Sequence, residues 1–268
     1  MATIRGEWIP RRSTIDLSAF EGDRLGPFIV GAPIRHTLLG DVRMALEDGV
    51  EHVVEIERFD VLGAPEFVDL QESLILDLAG STDITHRHVA EVTGAGLYGG
   101  VPYVVRPHRL GRLLSDVLTH QVLIPPDVVA VIAHHIGEAL AHLAFEGFAV
   151  GAWSLGGFDE HDVFLGFDGS VMLTGVGLAK FRSPGRDPAA ADLESYLALL
   201  SRLDALAESS VAKVVEAHGR LDDVALLLRR RYREEVGHGE IVLGSLLREA
   251  FSEEIIEERA FFGMSTLH

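Results

Sequence analysis

The sequence predicts an α+β fold in which a small antiparallel sheet comes first and helices follow. Two patterns carry this reading. Early in the chain, apolar residues come in strand-length runs: Phe28-Ile29-Val30, then Asp41 to Ala45, then His52 to Phe59, which alternates cleanly. Later, over Pro126 to Phe145, Val128, Val131, Ile132, Ile136, Ala139, Leu140 and Leu143 keep helical period. At 268 residues and 47% hydrophobic, the chain can bury a full core in one large domain or two apposed halves.

In order, residues 1–25 read as a leader in which Arg5, Arg11 and Arg12 sit among polar residues. The three early strands are joined by turns at Gly40 and Asp48-Gly49, which suggests a meander. Glu66 to Leu78 places Phe67, Leu70, Leu74 and Leu78 on one helical face. Val89 to Val92 and Val101 to Val105 read as a second hairpin closed at Tyr98-Gly99-Gly100. Val163 to Leu165 and Val171 to Leu173 flank Asp168-Gly169, a strong hairpin turn signal. Ser252, followed by Glu253 and Glu254, can cap a last helix.

Composition excludes several functions. A net charge of −18 disfavours a nucleic-acid partner, which needs clustered Lys and Arg. The absence of cysteine removes disulfides, a thiol nucleophile and Cys-ligated zinc. Lys180 and Lys213 are the only lysines, and there is no asparagine. The N-terminus has no long apolar stretch, and no segment holds roughly 18 uninterrupted apolar residues, so a cytoplasmic protein without a membrane span is expected.

Several stretches carry a family resemblance. Thr174-Gly175-Val176-Gly177-Leu178-Ala179-Lys180 resembles the "Asp-Phe-Gly, Leu-Ala-Lys" segment of Ser/Thr protein kinases, and His86 to Val92 resembles their "His-Pro-x-Ile-Val" entry to the fourth strand. Val101 to Val105 is similar to the strand before the hinge, and Leu110 to Leu118 to the short helix after it. Pro126 to Phe145 is similar to the long helix under the catalytic loop. Asp192 to Leu206 resembles the buried helix with its Asp, and Leu243 to Phe251 the last helix. The likeness spans roughly residues 25–255 and resembles a degenerate bacterial kinase domain, a pseudokinase. It implies a bilobal protein-kinase-like fold: an N-lobe over 26–107 with a small antiparallel sheet and one helix, a mainly α C-lobe over 108–255, and a tail over 256–268.

The same resemblance implies that the chemistry has been removed. Ile34 to Val42 stands at the glycine-rich turn but matches only at Gly40 and Val42, and Leu38 and Leu39 are expected to crowd a triphosphate. Glu57 stands where the third strand should present Lys, and its helical partner falls near Gln71 or Glu72, which sets like charges together. Ala152 aligns with the catalytic Asp; if the insertion is placed earlier, Gly157 takes that position. Asp162 falls on the metal-binding Asn and keeps some capacity for a cation, while Gly175 replaces the main Mg²⁺ carboxylate. Between Gly177 and Asp192 the activation segment is trimmed to a short loop. No catalytic residue, cofactor or metal is therefore expected.

Other candidates are weaker. His86, His88, His134, His135 and His142 lack metal-ligand spacing, and Ser154 lacks a nucleophile elbow. Arg229, Arg230 and Arg231 form a basic concentration that reads as a solvated face or as a docking patch for an acidic partner. Phe261 and Phe262 either pack back or anchor a protein partner. The expected function is a catalytically inactive scaffold or allosteric regulator of a protein partner, with an active kinase or a larger assembly as the candidates. The alternatives are a remodelled cleft that binds nucleotide or transfers a group through Glu57, Asp159 and Asp162, and a purely structural subunit.

Overall fold

The computed structural model describes residues 24–37, 39–48, 52–150, 154–217 and 233–261, with 224, 226–228 and 230. The side chains of 52, 69, 70, 72, 146–150, 233–235, 260 and 261 fall outside that description. The strands are β1 (Arg24–Leu25), β2 (Phe28–His36), β3 (Asp41–Glu47), β4 (His52–Arg58), β5 (Gly94–Tyr98), β6 (Val101–Pro107), β7 (Gly111–Leu113), β8 (Val163–Gly166) and β9 (Val171–Leu173). The helices are α1 (Val68–Gly80), α2 (Leu114–Thr119), α3 (Pro126–Val150), α4 (Ala179–Arg182), α5 (Pro188–Ala207), α6 (Val211–Glu216), α7 (Arg233–Ala250) and α8 (Ser252–Phe261).

The first sheet runs β1-β2-β3-β4-β6-β5, with antiparallel neighbours throughout. The expected order of three strands, a helix and two strands is present, preceded by the two-residue β1. Alternation along β4 is the reason. Val54 and Ile56 turn to one face and pack with Leu25, Val30, Ala45 and Val105. Phe59, just past the strand, joins Val104 and the α1 residues Leu74 and Leu78 on the other. Glu55 and Glu57 share that second face, so the polar half of the alternation is turned toward a cleft rather than toward bulk water.

Two boundaries differ from expectation. The second hairpin begins at Gly94, not at Val89; Val89 instead makes one isolated parallel bridge to Leu173, which ties the segment after α1 to β9. Residues 111–113 form a strand against β8 before α2 begins, because Gly111 lets the chain lie directly over Phe164 and Leu165. Leu39 packs against the α1 cluster, and Leu38 lies outside the described residues.

The helical part is organised on α3, whose fully buried Ile132, Ile136, Leu140 and Leu143 meet α5 and α7. Its segment Pro126–Phe145 is long and apolar enough to cross a bilayer by composition, but 72% of that window is already buried in the fold. Tyr196 of α5 donates its hydroxyl to the Ala133 carbonyl at 2.5 Å, a polar tie inside an otherwise apolar interface. Gly169, in the β8–β9 turn at φ +89°, lies so close to the Glu240 carbonyl of α7 that a side chain has no room there.

One cluster was not foreseen. His88 and His135 stack at 3.8 Å, His86 and His142 at 4.6 Å, and His134 lies beside His135; Glu138 lies against His88, His134 and Arg87. His88 Nδ1 donates to the Val171 carbonyl, which joins the cluster to β9. No metal-binding group of His and carboxylates occurs among the described residues. Burial, then neighbouring positive charge, lowers the pKa of His86 and His135, and burial lowers His88 to about 4. Glu240 lies 2.9 Å from His135 Nε2.

These imidazoles are neutral in the fold but take protons near pH 6.5 once unfolded. Stability is therefore present above pH 6.5 and lost as pH falls from there toward 4, by up to about 1.4 kcal/mol per pH unit for each of the buried His88 and His135 rings, with the half-exposed His86 contributing less. Urea unfolding at pH 7, 6 and 5 should show this decline, and His135→Gln should flatten it. A flat profile in the parent protein contradicts neutral buried rings.

Candidate functional site

The cleft lies below the polar face of β4 and above β8, β9 and the segments around 154–162 and 174–182. Its deeper end is built on Asp192, in the second turn of α5. That helix starts at Asp187, whose side chain accepts from Ala189 N, with Pro188 at its first position. Asp192 is 3% exposed and accepts hydrogen bonds from Ser154 Oγ at 2.5 Å, Leu155 N at 3.0 Å and Gly157 N at 2.7 Å. Phe158 N adds a bond to Ser195 Oγ, and Ser183 Oγ donates to the Gly156 carbonyl. Burial raises the Asp192 pKa, and the Ser154 and backbone donors oppose it. The loop after α3 is thus held by the helix beneath it, and the Ser154 hydroxyl is spent on that anchoring. Asp192 stands where the sequence placed it; Ala152 lies outside the described residues.

Asp162 immediately precedes β8. Its carboxylate receives Arg182 bidentately, Nη1 at 2.8 Å and Nη2 at 2.6 Å, and Arg182 Nη1 also donates to the Gly157 carbonyl at 3.0 Å. Gly175 lies against this pair: a Cβ there would stand 2.9 Å from both Arg182 Nη2 and Asp162 Oδ1, at φ +78°. The guanidinium therefore fills the space that a side chain at 175 would enter. Burial raises the Asp162 pKa against the pull of Arg182; the Arg182 pKa is raised in spite of burial, through Asp162 and then the more distant Glu57. Arg182 was not singled out in the sequence, since its partner is 20 residues upstream in a different element.

Glu57 is held by a cation of its own sheet: Arg106 Nη1 reaches it at 2.5 Å. The register explains this: Arg106 is directly across from Glu55, and Val104 across from Glu57, so Arg106 is the diagonal neighbour on the same face. Gln71 turns away to donate to the Leu62 carbonyl at 2.6 Å, and the side chain of Glu72 lies outside the described residues. Helix α1 is held by another ion pair, Lys180 Nζ to Asp77 at 2.8 Å, supported by Ser73 at 2.8 Å.

The cleft mouth carries a second chain of charge. Arg35 Nη2 donates to Glu55 Oε2 at 3.0 Å, and His108 Nδ1 lies 3.0 Å from Glu55 Oε1. His108 Nε2 lies 2.9 Å from Glu258 Oε1 on α8, whose other oxygen is 3.5 Å from Arg112. Both ring nitrogens of His108 face carboxylates, so both donate and the ring is an imidazolium. Burial opposes that charge, but the Glu258 and Glu55 hydrogen bonds raise its pKa to about 9. Glu55 is lowered by His108 and Arg35 despite its own burial. A cavity of about 550 Å³ remains beside this chain. It is roofed by Ile34 and Met44 and floored by Leu113 and Phe164, with Glu254 and Glu257 at one side.

Of the other singled-out residues, Asp159 is exposed and accepts from His161 N. Arg230 is exposed, while Arg229, Arg231, Phe262 and the side chain of Phe261 lie outside the described residues.

Two expectations follow. Removing one partner of a buried pair strands the other, at roughly 3–5 kcal/mol. Arg182→Met should cost that much in urea unfolding, and Arg182→Met with Asp162→Leu should recover most of it; equal losses in the single and double variants contradict the pairing. For His108, whose folded pKa is raised, the stabilisation is complete below pH 6.5 and is lost as pH rises through about 9. Stability should fall on the order of 3 kcal/mol over that interval, and His108→Gln should remove the slope.

No family model matches the sequence, and no curated protein matches it. Solved structures do. The kinase domain of Mycobacterium tuberculosis PknI superposes with a TM-score of 0.62 at 13% identity, covering 81% of this chain and 98% of that one. A single-substitution mutant of the same domain gives 0.58 at 14% identity, covering 68% of this chain and 75% of that one. At such identity the likeness speaks to fold, and it agrees with the six-stranded sheet, α1 and the helices that follow. The chain therefore has a protein-kinase-like fold.

Proposed function

We propose that this protein is a catalytically inactive kinase-like protein, a pseudokinase, that works as a protein-binding scaffold or allosteric regulator. The observation that carries the reading is the Arg182 guanidinium seated on Asp162 beside Gly175. Phosphoryl transfer needs metal ions to bridge the phosphates, a lysine on the sheet, and a base near the acceptor hydroxyl. In the bilobal reading, with lobes over 26–107 and 108–255, those positions are Asp162 and Gly175, Glu57, and Ala152.

Mg²⁺ with a nucleoside triphosphate does not fit the residues present. Asp162 already has a cation in bidentate contact, Glu57 offers a carboxylate already held by Arg106 where phosphates would need a free cation, and Gly175 offers no ligand. The inner cleft's Asp162, Glu57 and Glu55 are each matched by a cationic group of the same chain. Such a cleft holds the fold together, and the outer surfaces are then what remains for function. The partner is a protein rather than a nucleic acid, in keeping with the −18 charge.

A second reading is favoured by the cavity of about 550 Å³: a small molecule other than Mg²⁺-nucleotide binds at the cleft mouth. Thermal unfolding with ATP, ADP and GTP, each with and without Mg²⁺, tests the first reading. A ligand at 100 times its Kd adds roughly 2.7 kcal/mol and shifts the melting temperature visibly. No shift is expected. A Mg²⁺-dependent shift overturns the proposal and calls for assays of transfer.

A further inference from the structure

The cleft mouth is bordered along one side by a helix that follows the rest of the fold. Helix α8 begins at Ser252, one residue after the fully buried Phe251, and Ile255 continues its anchorage in the main core. Arg112 lies over the rings of both Phe167 and Phe251, at 5.5 and 5.6 Å, so its guanidinium is held in place beside the helix. The next turn of α8 then crosses to residues 108–112, which connect the large sheet to the helical part. There Glu258 places one oxygen 2.9 Å from His108 and the other 3.5 Å from Arg112. Its side chain is only 15% exposed.

The contacts of α8 are unequal. Its first turn is fastened by apolar burial, as part of the main core. Its second half reaches the cleft through polar contacts centred on Glu258. Glu254 and Glu257 line the cavity on the same side as Glu258, but neither makes a hydrogen bond or ion pair among the described residues. The cavity beside them lies between β2 and β3 above and β7 and β8 below, so the segment of α8 around Glu258 forms one wall. Among the described side chains of this half, Glu258 makes the polar contacts to the cleft, and a wall fastened in this way can come away while the anchored turn stays.

We propose that α8 is a strap across the cleft, fastened by Glu258 to His108 and Arg112 and hinged at Phe251 and Ile255, and that its release opens the cavity. His108 makes the fastening a shared one. The same ring holds Glu55 of β4 through its other nitrogen, and Arg35 of β2 holds Glu55 in turn. A pull at Glu258 is thus transmitted to two strands of the large sheet. The facing charges from each element are Arg35 on β2, Glu55 on β4, Arg106 on β6, Arg109 in the connector, Arg112 on β7, Asp116 on α2, and Glu254, Glu257 and Glu258 on α8. This inference does not depend on whether the protein transfers phosphate.

The test uses the full chain. Hydrogen exchange is compared between the parent, Glu258→Gln, and Glu257→Gln as a charge-matched control. Loss of a charge-assisted bond of this kind corresponds to roughly tenfold or more in the opening equilibrium. Amides of the second half of α8 and of 108–113 should therefore exchange about tenfold faster in Glu258→Gln, while α3 keeps its protection and Glu257→Gln matches the parent. Because the sequence holds no cysteine, Met44→Cys supplies a single thiol on the cavity roof. Its labelling by a thiol reagent should accelerate by a similar factor when Glu258→Gln is added. Unchanged exchange in Glu258→Gln overturns the proposal, as does a parent α8 that exchanges at the rate of an unfolded peptide. Acceleration spread equally over α3 also overturns it, since Glu258 would then support the whole fold and not a strap.

Discussion

A guanidinium paired with a buried carboxylate sets the character of the inner cleft. Arg182 and Asp162 come from α4 and from the residue just before β8, and the same guanidinium reaches the Gly157 carbonyl of the loop that follows α3. Three segments that approach the cleft from different directions are joined at one planar group. Burial makes each charge costly by itself, so the pair is kept only because both members are present. Gly175 completes the arrangement: any side chain there would collide with the pair. Carboxylate and guanidinium meet edge to edge, and each satisfies the other.

The same self-matching recurs on the sheet above. A strand with period-two alternation carries Glu55 and Glu57 on one face, and antiparallel register brings Arg106 beside them from β6. Arg35 and His108 complete the set from β2 and from the connector. Here, carboxylate answers guanidinium and imidazolium within one chain. The shell around them follows the ordinary physics of helix and loop: Asp192 collects the backbone donors of 155 and 157, and Lys180 holds α1 through Asp77.

Local pattern made the elements legible. The alternation in β4, the three-four spacing in α3, the Asp168-Gly169 turn and the Tyr98-Gly99-Gly100 turn are each contained in a few residues, and all four form as expected. The start of β5 did not, because Val89 to Val92 has strand composition but its backbone is claimed by Leu173 from a distant hairpin. In the cleft, Glu57, Asp162, Gly175 and Asp192 were identifiable through a resemblance to kinases, yet the partners that decide their roles were not. Arg106 is 49 residues from Glu57, Arg182 is 20 from Asp162, and Glu258 is 150 from His108. Single charges of this kind leave no period in a sequence, and only the folded register pairs them. The stacked histidines were hidden for the same reason, since His86 and His88 meet α3 only through the tertiary fold.

In the proposed function, Arg182 and not a metal ion serves as the cation of Asp162. A crystal structure of the protein grown with millimolar Mg²⁺ and a non-hydrolysable ATP analogue tests it most directly. The account predicts the bidentate Arg182–Asp162 pair intact, with no metal density on Asp162 and no triphosphate under the β2–β3 turn. A Mg²⁺ ion bound to Asp162 with Arg182 swung aside would contradict it, and would make the ion pair a resting state of a working nucleotide site.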